Sequence, residues 1–215
     1  MTSCHCCAAA EQFDSAVAQR DLRRFRRRGP DASTRHLLAA VQGRSLPPTP
    51  TLLDIGGGIG AIHHVLLEHG FGQATHLDAS EAYLAVASAE SRRLGDADRV
   101  RFQLAAFPVE AATVPPADVV TLDRVVCCDP DYARLLRAAA NQARRVLAFS
   151  YPRRRWLIRL VVAATNALRG PFGREFRAYV HPPARMKAVL EEAGMRQAWA
   201  GGTWIWAVEL FERAA

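Results

Sequence analysis

The chain has 215 residues, half of them apolar, so it is long enough and apolar enough to bury one sizeable core. It contains no low-complexity tract and no internal repeat, which excludes repeat and low-complexity architectures. The formal net charge of +7 favours anionic partners through long-range steering and does not bear on the fold.

Two observations bear on location. Residues 1–10 lack the charged and apolar regions of a secretory signal. The apolar run 156–168 is interrupted by Arg159 and is too short to span a bilayer. We therefore expect a cytoplasmic protein with no transmembrane segment, whose five cysteines are mostly reduced thiols.

Residues 1–50 are predicted to form a helical cap that precedes the main domain. Apolar residues from Phe13 to Phe25 recur at roughly helical spacing, and a basic run lies between Arg20 and Arg28. Gly29-Pro30 ends this helix, and Asp31 or Ser33 can cap a second one. The proline-rich segment Leu46–Pro50 is predicted to be a linker.

Residues 51–215 are predicted to form one α/β domain with a doubly wound, mostly parallel sheet, because strand patterns alternate with helical ones. A final antiparallel strand is expected from the alternation in Thr203–Glu209. The other predicted strands are one beginning at Thr51, one ending at Asp78, Val100–Leu104, Asp118–Asp123 and Val146–Ser150.

The segment Thr51–Gly60, TLLDIGGGIG, carries the strongest functional signal. A short apolar strand ends in Asp54 and is followed by Gly56, Gly57, Gly58 and Gly60, then by a helix and a second strand. Glycines let the backbone pass close under a ligand. Asp78, at the carboxyl end of the second strand, is placed to accept hydrogen bonds from a ribose diol. The pattern predicts a nucleoside-like cofactor.

Two cofactor classes compete for this motif. Gly56, Gly58 and Ala61 also satisfy the dinucleotide pattern G-x-G-x-x-G/A, so a small NAD-binding oxidoreductase is an alternative. Asp54 favours S-adenosylmethionine, because a carboxylate would crowd a pyrophosphate but suits an ammonium and a sulfonium. The glycines also begin only after about fifty residues, whereas dinucleotide enzymes often carry theirs on the first strand.

From Thr51 to Ser150 the chain resembles the class I S-adenosylmethionine-dependent methyltransferases, through Asp54-x-Gly56-x-Gly58-x-Gly60 and Asp78. The resemblance implies a Rossmann-like fold and S-adenosylmethionine as cofactor. It implies that the Asp54–Gly60 segment holds the methionine part and Asp78 the ribose. Family members often carry an acid near the adenine after the third strand, where this chain has Ala105 and Ala106. The implied cofactor residues are Asp54, Gly56, Gly57, Gly58, Gly60, Asp78, Ala79, Ala106, Phe107, Asp123 and Arg124.

The methyl acceptor is expected to be a small, anionic molecule methylated on oxygen. The loop 124–130 lacks the Asn-Pro-Pro-Tyr signature of enzymes that methylate base nitrogens. The C-terminal third resembles the acceptor region of magnesium-protoporphyrin IX O-methyltransferases. A carboxylate acceptor needs cationic groups to orient it, and Arg does this bidentately. The expected substrate-binding residues are Cys127, Cys128, Tyr151, Arg153 and Arg155.

The helix that follows Arg155 has a second interpretation. Its apolar residues, from Trp156 to Leu168, fall on one face, and arginines flank them. These features fit either a solvated helix start or a helix lying in a membrane interface, so peripheral membrane contact is left open.

Cysteines form two clusters, Cys4-His5-Cys6-Cys7 and Cys127-Cys128, neither with the C-x-x-C spacing of a zinc site, and no metal ligand is predicted. If the clusters meet in the fold, soft thiolates could hold a thiophilic metal or metalloid, and a thiol or metalloid methyltransferase is an alternative. Otherwise the first cluster is a frayed terminus and the second consists of packed residues.

A general base matters only where the acceptor must lose a proton, since alkyl transfer depends mainly on proximity and alignment. The expected catalytic residues are His181 and Tyr151. His63 and His64 follow the glycine loop, where one is expected to touch the cofactor and the other to face solvent.

Two other classes of protein stay open. A nucleic-acid-binding module could use the Arg20–Arg28 run, although that run lacks interleaved aromatics apart from Phe25, and no specific nucleic acid is expected. A catalytically silent, cofactor-binding scaffold is also consistent with the motif. The sequence does not identify the methyl acceptor or the oligomeric state.

Overall fold

A seven-stranded sheet forms the centre of the molecule. The computed structural model describes residues 12–169 and 176–214. The strands lie in the order β3-β2-β1-β4-β5-β7-β6. Their bounds are β1 Thr51–Ile55, β2 Gln73–Asp78, β3 Val100–Leu104, β4 Ala117–Leu122, β5 Ala143–Pro152, β6 Met195–Gly202 and β7 Trp206–Arg213.

Helices cover the sheet and its carboxyl edge. They are α1 Ser15–Arg28, α2 Ala32–Gln42, α3 Ala61–Glu68, α4 Glu81–Leu94, α5 Tyr132–Gln142, α6 Trp156–Arg169 and α7 Pro183–Glu192. Within the described ranges, no helix is long and apolar enough to cross a membrane.

Strands β1 to β5 pair in parallel, and β7 pairs antiparallel with both β5 and β6. The predicted doubly wound, mostly parallel sheet is therefore confirmed. The strand order reverses between β1 and β4, where the helices cross to opposite faces and a crevice opens at the carboxyl ends. The register sets Asp54 between His76 of β2 and Thr121 of β4, so three polar side chains converge there.

Apolar clusters bury both faces of the sheet. One face packs Leu53, Val120 and Leu147 against helices α5 and α7. The other packs Leu52 and Val119 against α2 and α3. The central strands read as nearly continuous apolar runs for this reason, as expected of parallel strands buried on both sides.

Helix α1 lies over α4 rather than over the sheet. Ala18 and Leu22 of α1 pack with Tyr83 and Val86 of α4 in a separate apolar cluster. Asp14 caps α1 by accepting a hydrogen bond from the N–H of Val17 at 2.9 Å. This arrangement places the N-terminal helix at the carboxyl edge of the sheet.

The C-terminal hairpin differs from the sequence-based expectation. Strand β7 runs from Trp206 to Arg213, not from Thr203 to Glu209, because Thr203 bonds back to Trp206 and starts the turn. Strand β6 was not predicted, since an edge strand with a polar outer face carries a weak apolar signal.

Candidate active site

A cavity of about 460 Å³ opens at the carboxyl ends of β1, β2 and β4. The glycine loop forms its floor, the loops after β2 and β4 form its walls, and helix α1 covers it. The residues that line it include Phe13, Asp21, Arg24, Phe25, Asp31, Thr34, Asp54, Gly56, Gly57, Gly58, Asp78, Ala79, Tyr83, Phe107, Asp123, Arg124, Cys127, Cys128, Asp129, Phe176, Ala178 and Trp206.

The glycine loop is tied to the end of β2 by backbone hydrogen bonds. The N–H groups of Gly56 and Gly57 donate to the carbonyl of Leu77 at 2.7 and 3.3 Å. A Cβ on Gly57 would lie 2.5 Å from the imidazole of His76 and 2.7 Å from the carboxylate of Asp54. Only glycine therefore fits at Gly57, and the loop stays close to the polar groups beneath it.

Asp54 is fully buried at the end of β1. Its Oδ1 accepts a hydrogen bond from the Thr121 hydroxyl at 2.7 Å, while its Oδ2 has no hydrogen-bond partner among the described residues. Burial raises the pKa of Asp54 to about 7; the Thr121 hydrogen bond opposes the rise, and the nearby Asp123 and Asp78 add to it. A buried carboxylate oxygen without a hydrogen-bond partner favours the binding of a cationic group at this place.

Two buried histidines lie next to Asp54, a feature that the sequence pattern does not indicate. The Nδ1 atoms of His63 and His76 are 3.0 Å apart, and His63 Nδ1 is 4.0 Å from Asp54 Oδ2. Desolvation, followed by neighbouring histidines, lowers the pKa of His63 and lowers that of His76 to about 3. Both imidazoles are therefore neutral at pH 7. Only the pairing register of β1 with β2, which sets Asp54 opposite His76, could have indicated this contact in advance.

These three residues could also hold a cation. Asp54, His63 and His76 each offer one ligand atom, all within 4.8 Å of one another. No metal ligand is predicted from the sequence. Such an ion would use the same Asp54 carboxylate that lines the cavity, so the cluster belongs to this site.

His64 is buried as well, against the expectation that one histidine of the pair faces solvent. Its Nδ1 lies 3.0 Å from Asp96 Oδ2. Neither His63 nor His64 is among the described residues that line the cavity.

Asp78 closes the other side of the glycine loop. Its Oδ2 accepts from the Gly58 N–H at 2.9 Å, and its Oδ1 accepts from the Ser80 N–H at 2.8 Å. Desolvation raises the pKa of Asp78 above its usual value, and these backbone hydrogen bonds oppose the rise. Ser80 caps α4 by accepting a hydrogen bond from the N–H of Tyr83, which fixes the loop that carries Asp78.

Arg124, in the loop after β4, has a positive backbone φ of 63° and is held in place by four contacts. Its guanidinium donates to Ser33 at 2.7 Å, pairs with Asp31 at 2.8 Å and lies 5.1 Å from the centre of the Trp206 ring. Its backbone N–H donates to the Ser150 hydroxyl at 2.8 Å. The neighbouring Asp123 accepts hydrogen bonds from Thr34 and Ser150.

Cys127 and Cys128 line the cavity beside Arg124. Their Sγ atoms are 3.9 Å apart, and both lie near the carbonyl of Arg124, at 3.2 and 3.4 Å. The neighbouring Cys128 and burial raise the pKa of the Cys127 thiol. The N-terminal Cys4-His5-Cys6-Cys7 cluster lies outside the described residues.

Three further predicted site residues lie at the β5–β7 side, and none of them lines the described cavity. The Tyr151 hydroxyl donates to Glu209 Oε1 at 2.5 Å. The Arg153 guanidinium donates to the carbonyls of Thr203 and Gly201, each at 2.8 Å. The Arg155 guanidinium lies 5.0 Å from the centre of the Trp204 ring. The contacts of these three residues stabilise the β6–β7 hairpin and do not extend to the cavity.

His181 lies behind the wall of the cavity. Its Nε2 is 3.1 Å from the carbonyl of Val126 and 2.9 Å from that of Asp129. An imidazole nitrogen between two carbonyls acts as a donor, so this arrangement fixes the loop after β4. Desolvation lowers the pKa of His181, although these backbone bonds oppose it.

Among the remaining predicted cofactor residues, Gly56, Gly57, Gly58, Ala79 and Phe107 line the cavity, whereas Gly60 and Ala106 do not. The cap supplies lining residues that the sequence did not indicate, including Phe13, Asp21 and Thr34. Their position depends on the docking of α1 and α2, which a one-dimensional pattern does not contain.

Comparison with known proteins agrees with this geometry. Residues 53–148 match the family model described as a methyltransferase domain. No curated protein sequence matches the chain.

Several solved structures share the fold at low sequence identity. A magnesium protoporphyrin IX methyltransferase from Synechocystis PCC 6803, with bound SAH, has a TM-score of 0.74 at 18% identity, covering 98% of this chain and 100% of that one. An O-methyltransferase family protein from Burkholderia thailandensis has a TM-score of 0.70 at 15% identity, covering 95% and 61%. A putative methyltransferase from Haloferax volcanii, in complex with a Trm112 activator, has a TM-score of 0.68 at 14% identity, covering 96% and 98%.

The sheet order, the glycine loop with its following acid and the family match together define the class. The chain carries a class I S-adenosylmethionine-dependent methyltransferase domain. Its cofactor is S-adenosylmethionine.

The residues present fit this cofactor. Glycine at position 57 keeps the loop close to Asp54, and the unpartnered Oδ2 of Asp54 suits a cationic group. A cavity of about 460 Å³ is of the size that binds small ligands.

Proposed function

We propose that this enzyme methylates an oxygen of a small acceptor that carries an anionic group and an apolar body. The observation that carries the proposal is the composition of the cavity beside Arg124. The lining contains two guanidinium groups, Arg24 and Arg124, together with the aromatic side chains of Phe176 and Trp206. Arginine orients a carboxylate, and aromatic rings pack against an apolar body.

Asp31 sits between the two arginines, 2.7 Å from Arg24 and 2.8 Å from Arg124. The two guanidiniums share this carboxylate, and the buried Nε of Arg124 has no hydrogen-bond partner among the described residues. The anionic end that the sequence assigns to Arg153 and Arg155 is therefore assigned to Arg24 and Arg124.

The absence of a lining imidazole also supports a carboxylate acceptor. No histidine is found among the cavity-lining residues within 12–169 and 176–214. A carboxylate is already ionised at pH 7 and needs no general base, only positioning against the methyl donor.

We assign the cofactor's parts to the opposite half of the cavity. Asp54 and the glycine loop would hold the methionine part, Asp78 the ribose and Phe107 the adenine. When bound, the cofactor supplies an electrophilic methyl group. Asp54 offers a carboxylate to its ammonium group, and the apolar lining limits access of water. One solved neighbour supports oxygen as the acceptor atom by its name alone: the O-methyltransferase family protein.

A second candidate, methylation of a thiol or metalloid, is favoured by one observation. Cys127 and Cys128 both line the cavity with their Sγ atoms 3.9 Å apart. Two adjacent sulfur atoms are the ligands that soft ions prefer. The raised pKa of Cys127 opposes thiolate formation, which makes this the weaker candidate.

The two candidates are separated by measuring S-adenosylhomocysteine release with a panel of aromatic carboxylates, phenols and thiols. We expect turnover with a carboxylate, and we expect Arg24→Ala to raise its KM about tenfold or more while Arg28→Ala does not. Arg28 is an exposed arginine of the same helix that does not line the cavity. Turnover only with thiols, lost in Cys127→Ser with Cys128→Ser, would replace the first candidate by the second.

The cytoplasmic location and the division at residue 50 stay predictions. The basic run has acidic partners within the protein: Arg24 pairs with Asp31 and Arg26 with Glu90. These pairs favour a role in attaching the cap over one in binding nucleic acid.

A further inference from the structure

Helix α6 is oriented with its apolar face outward. Of its fourteen residues only Ile158 is buried. Val162 and Asn166, which share the face of Ile158, are half-buried against the protein. The opposite face carries five large side chains that are 40–72% exposed: Trp156, Leu157, Leu160, Val161 and Leu168. A water-facing helix normally presents polar residues, so this orientation calls for a partner.

The hairpin between β6 and β7 extends the same apolar surface. Trp204 and Ile205 at its turn are 53% and 48% exposed. The turn is attached to the start of α6, because the Arg153 N–H donates to the carbonyl of Ile205 at 2.8 Å and Arg155 stacks on Trp204. The seven side chains, five on α6 and two on the turn, form the apolar surface discussed below.

The chain segment that contains α6 carries charge of one sign only. Residues 153–169 contain five arginines and no acid. Arg154, Arg155 and Arg159 are exposed, and within the described parts of the chain none of them has an ion-pair partner. The apolar surface is thus bordered by uncompensated positive charge.

We propose that α6 and the Trp204–Ile205 turn dock the enzyme on an anionic lipid bilayer. Apolar side chains between arginines are the composition of a helix that lies in a membrane interface. A second copy of this chain fits less well, because symmetric pairing of the surface would bring the same arginines against one another. An acidic protein would satisfy the charges but needs a matching apolar face, whereas a bilayer supplies both features at once.

The docking surface is joined to the wall of the cavity. Asn166 of α6 makes two hydrogen bonds to the backbone of Ala178, at 2.8 and 3.0 Å. Arg169 of α6 lies 5.0 Å from the centre of the Phe176 ring, and both Phe176 and Ala178 line the cavity. If the proposed function holds, docking sets this wall beside the bilayer, which suits an acceptor with an apolar body and an anionic end.

The test is sedimentation of the purified full chain with vesicles of phosphatidylcholine alone or with about one third phosphatidylglycerol. We expect strong binding to the anionic vesicles, weakened by molar salt, and little binding to the neutral ones. The double variant Leu160→Ser with Val161→Ser should abolish it. The triple variant Arg154→Ser, Arg155→Ser, Arg159→Ser should weaken it on the order of a hundredfold, at about fivefold for each arginine.

Two controls make the same kinds of substitution elsewhere on the surface. Val109→Ser changes a side chain that is 62% exposed elsewhere on the surface. Arg23→Ser, Arg28→Ser and Arg196→Ser together remove three exposed charges at other places. Both controls should bind vesicles like the unchanged protein. All variants should keep their affinity for S-adenosylhomocysteine, a readout that tests fold and cofactor binding separately from docking.

Three results would overturn the proposal. One is failure of the unchanged protein to sediment with either vesicle while it still binds S-adenosylhomocysteine. Another is vesicle binding that Leu160→Ser with Val161→Ser leaves unaffected. A third is a dimer in sedimentation velocity that the same variant dissolves, which would assign the surface to a second copy.

Discussion

At the scale of single residues, Asp54 sets the electrostatics of the cofactor site. It is fully buried, and its Oδ2 has no hydrogen-bond partner among the described residues. The charges of two other carboxylates of the site, Asp123 and Asp78, raise its pKa further. The resulting pKa of about 7 means that the site changes charge within the physiological pH range.

Cofactor affinity should therefore depend on pH. Below pH 7, Asp54 is mostly protonated and must release a proton to pair with the ammonium of the cofactor. We expect the affinity for S-adenosylhomocysteine to fall by up to about tenfold per pH unit below 7 and to level off above it. Calorimetric titration from pH 5.5 to about 8.5 measures this profile. Asp54→Asn should bind weakly with a flat profile, and a chelator should leave the profile unchanged.

The ligand-free protein should show the opposite dependence in stability. A carboxyl whose pKa is raised from 3.8 to about 7 by folding binds its proton more tightly in the folded state. Its contribution to the free energy of unfolding is then present below about pH 4 and is lost as pH rises to about 7. This contribution should be missing in Asp54→Asn.

Replacement of Gly57, in the loop of the cofactor site, should be costly for steric reasons. The added Cβ of Gly57→Ala would lie 2.5 Å from His76 and 2.7 Å from Asp54, both fully buried. We expect a loss of about 1–3 kcal/mol in the free energy of unfolding, measured by urea denaturation, and loss of cofactor binding. Gly43→Ala, where the nearest atom is 3.4 Å away, serves as the control. Equal behaviour of the two variants would contradict the steric account.

Tyr151 should act as a structural residue. Its hydroxyl donates a hydrogen bond to Glu209, whose pKa is raised by burial. Tyr151 is not among the described residues that line the cavity. Tyr151→Phe should lower the free energy of unfolding by about 1 kcal/mol and leave the rate of methyl transfer unchanged. A rate loss of about a hundredfold with unchanged stability would instead return Tyr151 to the role of general base.

The sequence predicted the residues of this site that lie on one continuous motif. Asp54, the glycine loop and Asp78 are separated by one βα unit, so their meeting follows from chain order. His76 and Thr121 converge on Asp54 only through strand register, and Arg24 arrives through docking of a helix. Motif spacing contains neither kind of information.

At the scale of elements, the fit of helix α1 over α4 determines how the cavity is closed. Glu90 of α4 has a fully buried side chain and pairs with Arg26 of α1 and Arg93 of its own helix. Hydrogen bonds from these arginines lower the pKa of Glu90 to about 2. Tyr83 adds a second attachment by donating to Asp21 at 2.8 Å.

Removing one partner should loosen the cap without unfolding the sheet. Arg26→Ala leaves Glu90 with Arg93 alone, and since Arg26 is half-exposed we expect a loss of only about 0.5–1 kcal/mol in stability. Hydrogen exchange of the α1 amides should accelerate, and cofactor affinity should fall a fewfold because α1 lines the cavity. Arg28→Ala, on the same helix, should leave both unchanged. Unaltered exchange in Arg26→Ala would mean that apolar packing alone holds the cap.

The bounds of the helices were easier to predict than the tertiary contacts that the helices make. Gly29-Pro30 and the capping residues after it indicate where α1 ends and α2 begins, because helix capping is local chemistry. The contact between Arg26 and Glu90 joins positions 64 apart in the chain. The apolar stripe of α6 was visible, but its outward orientation is a property of the assembled fold.

At the scale of the whole molecule, strand and helix patterns were sufficient to predict the class of fold. The parallel strands are buried on both faces and so carry long apolar runs, whereas the edge strand β6 does not and was missed. The same fold covers nearly the whole chain in the Synechocystis methyltransferase structure, at 18% identity. The shared fold thus includes the cap, the sheet and α6, and the cavity opens at the carboxyl edge of the sheet.

The most direct test of the account is calorimetric titration of the purified chain with S-adenosylhomocysteine, beside Asp78→Ala, Asp118→Ala and a titration with NADH. Asp118 accepts hydrogen bonds from the N–H and hydroxyl of Thr51, outside the cavity lining, so it matches Asp78 as a carboxylate bonded to the backbone. We predict micromolar binding that Asp78→Ala weakens about thirtyfold or more and Asp118→Ala retains, with no response to NADH. Binding of NADH in place of S-adenosylhomocysteine would contradict the account and make the chain a small oxidoreductase.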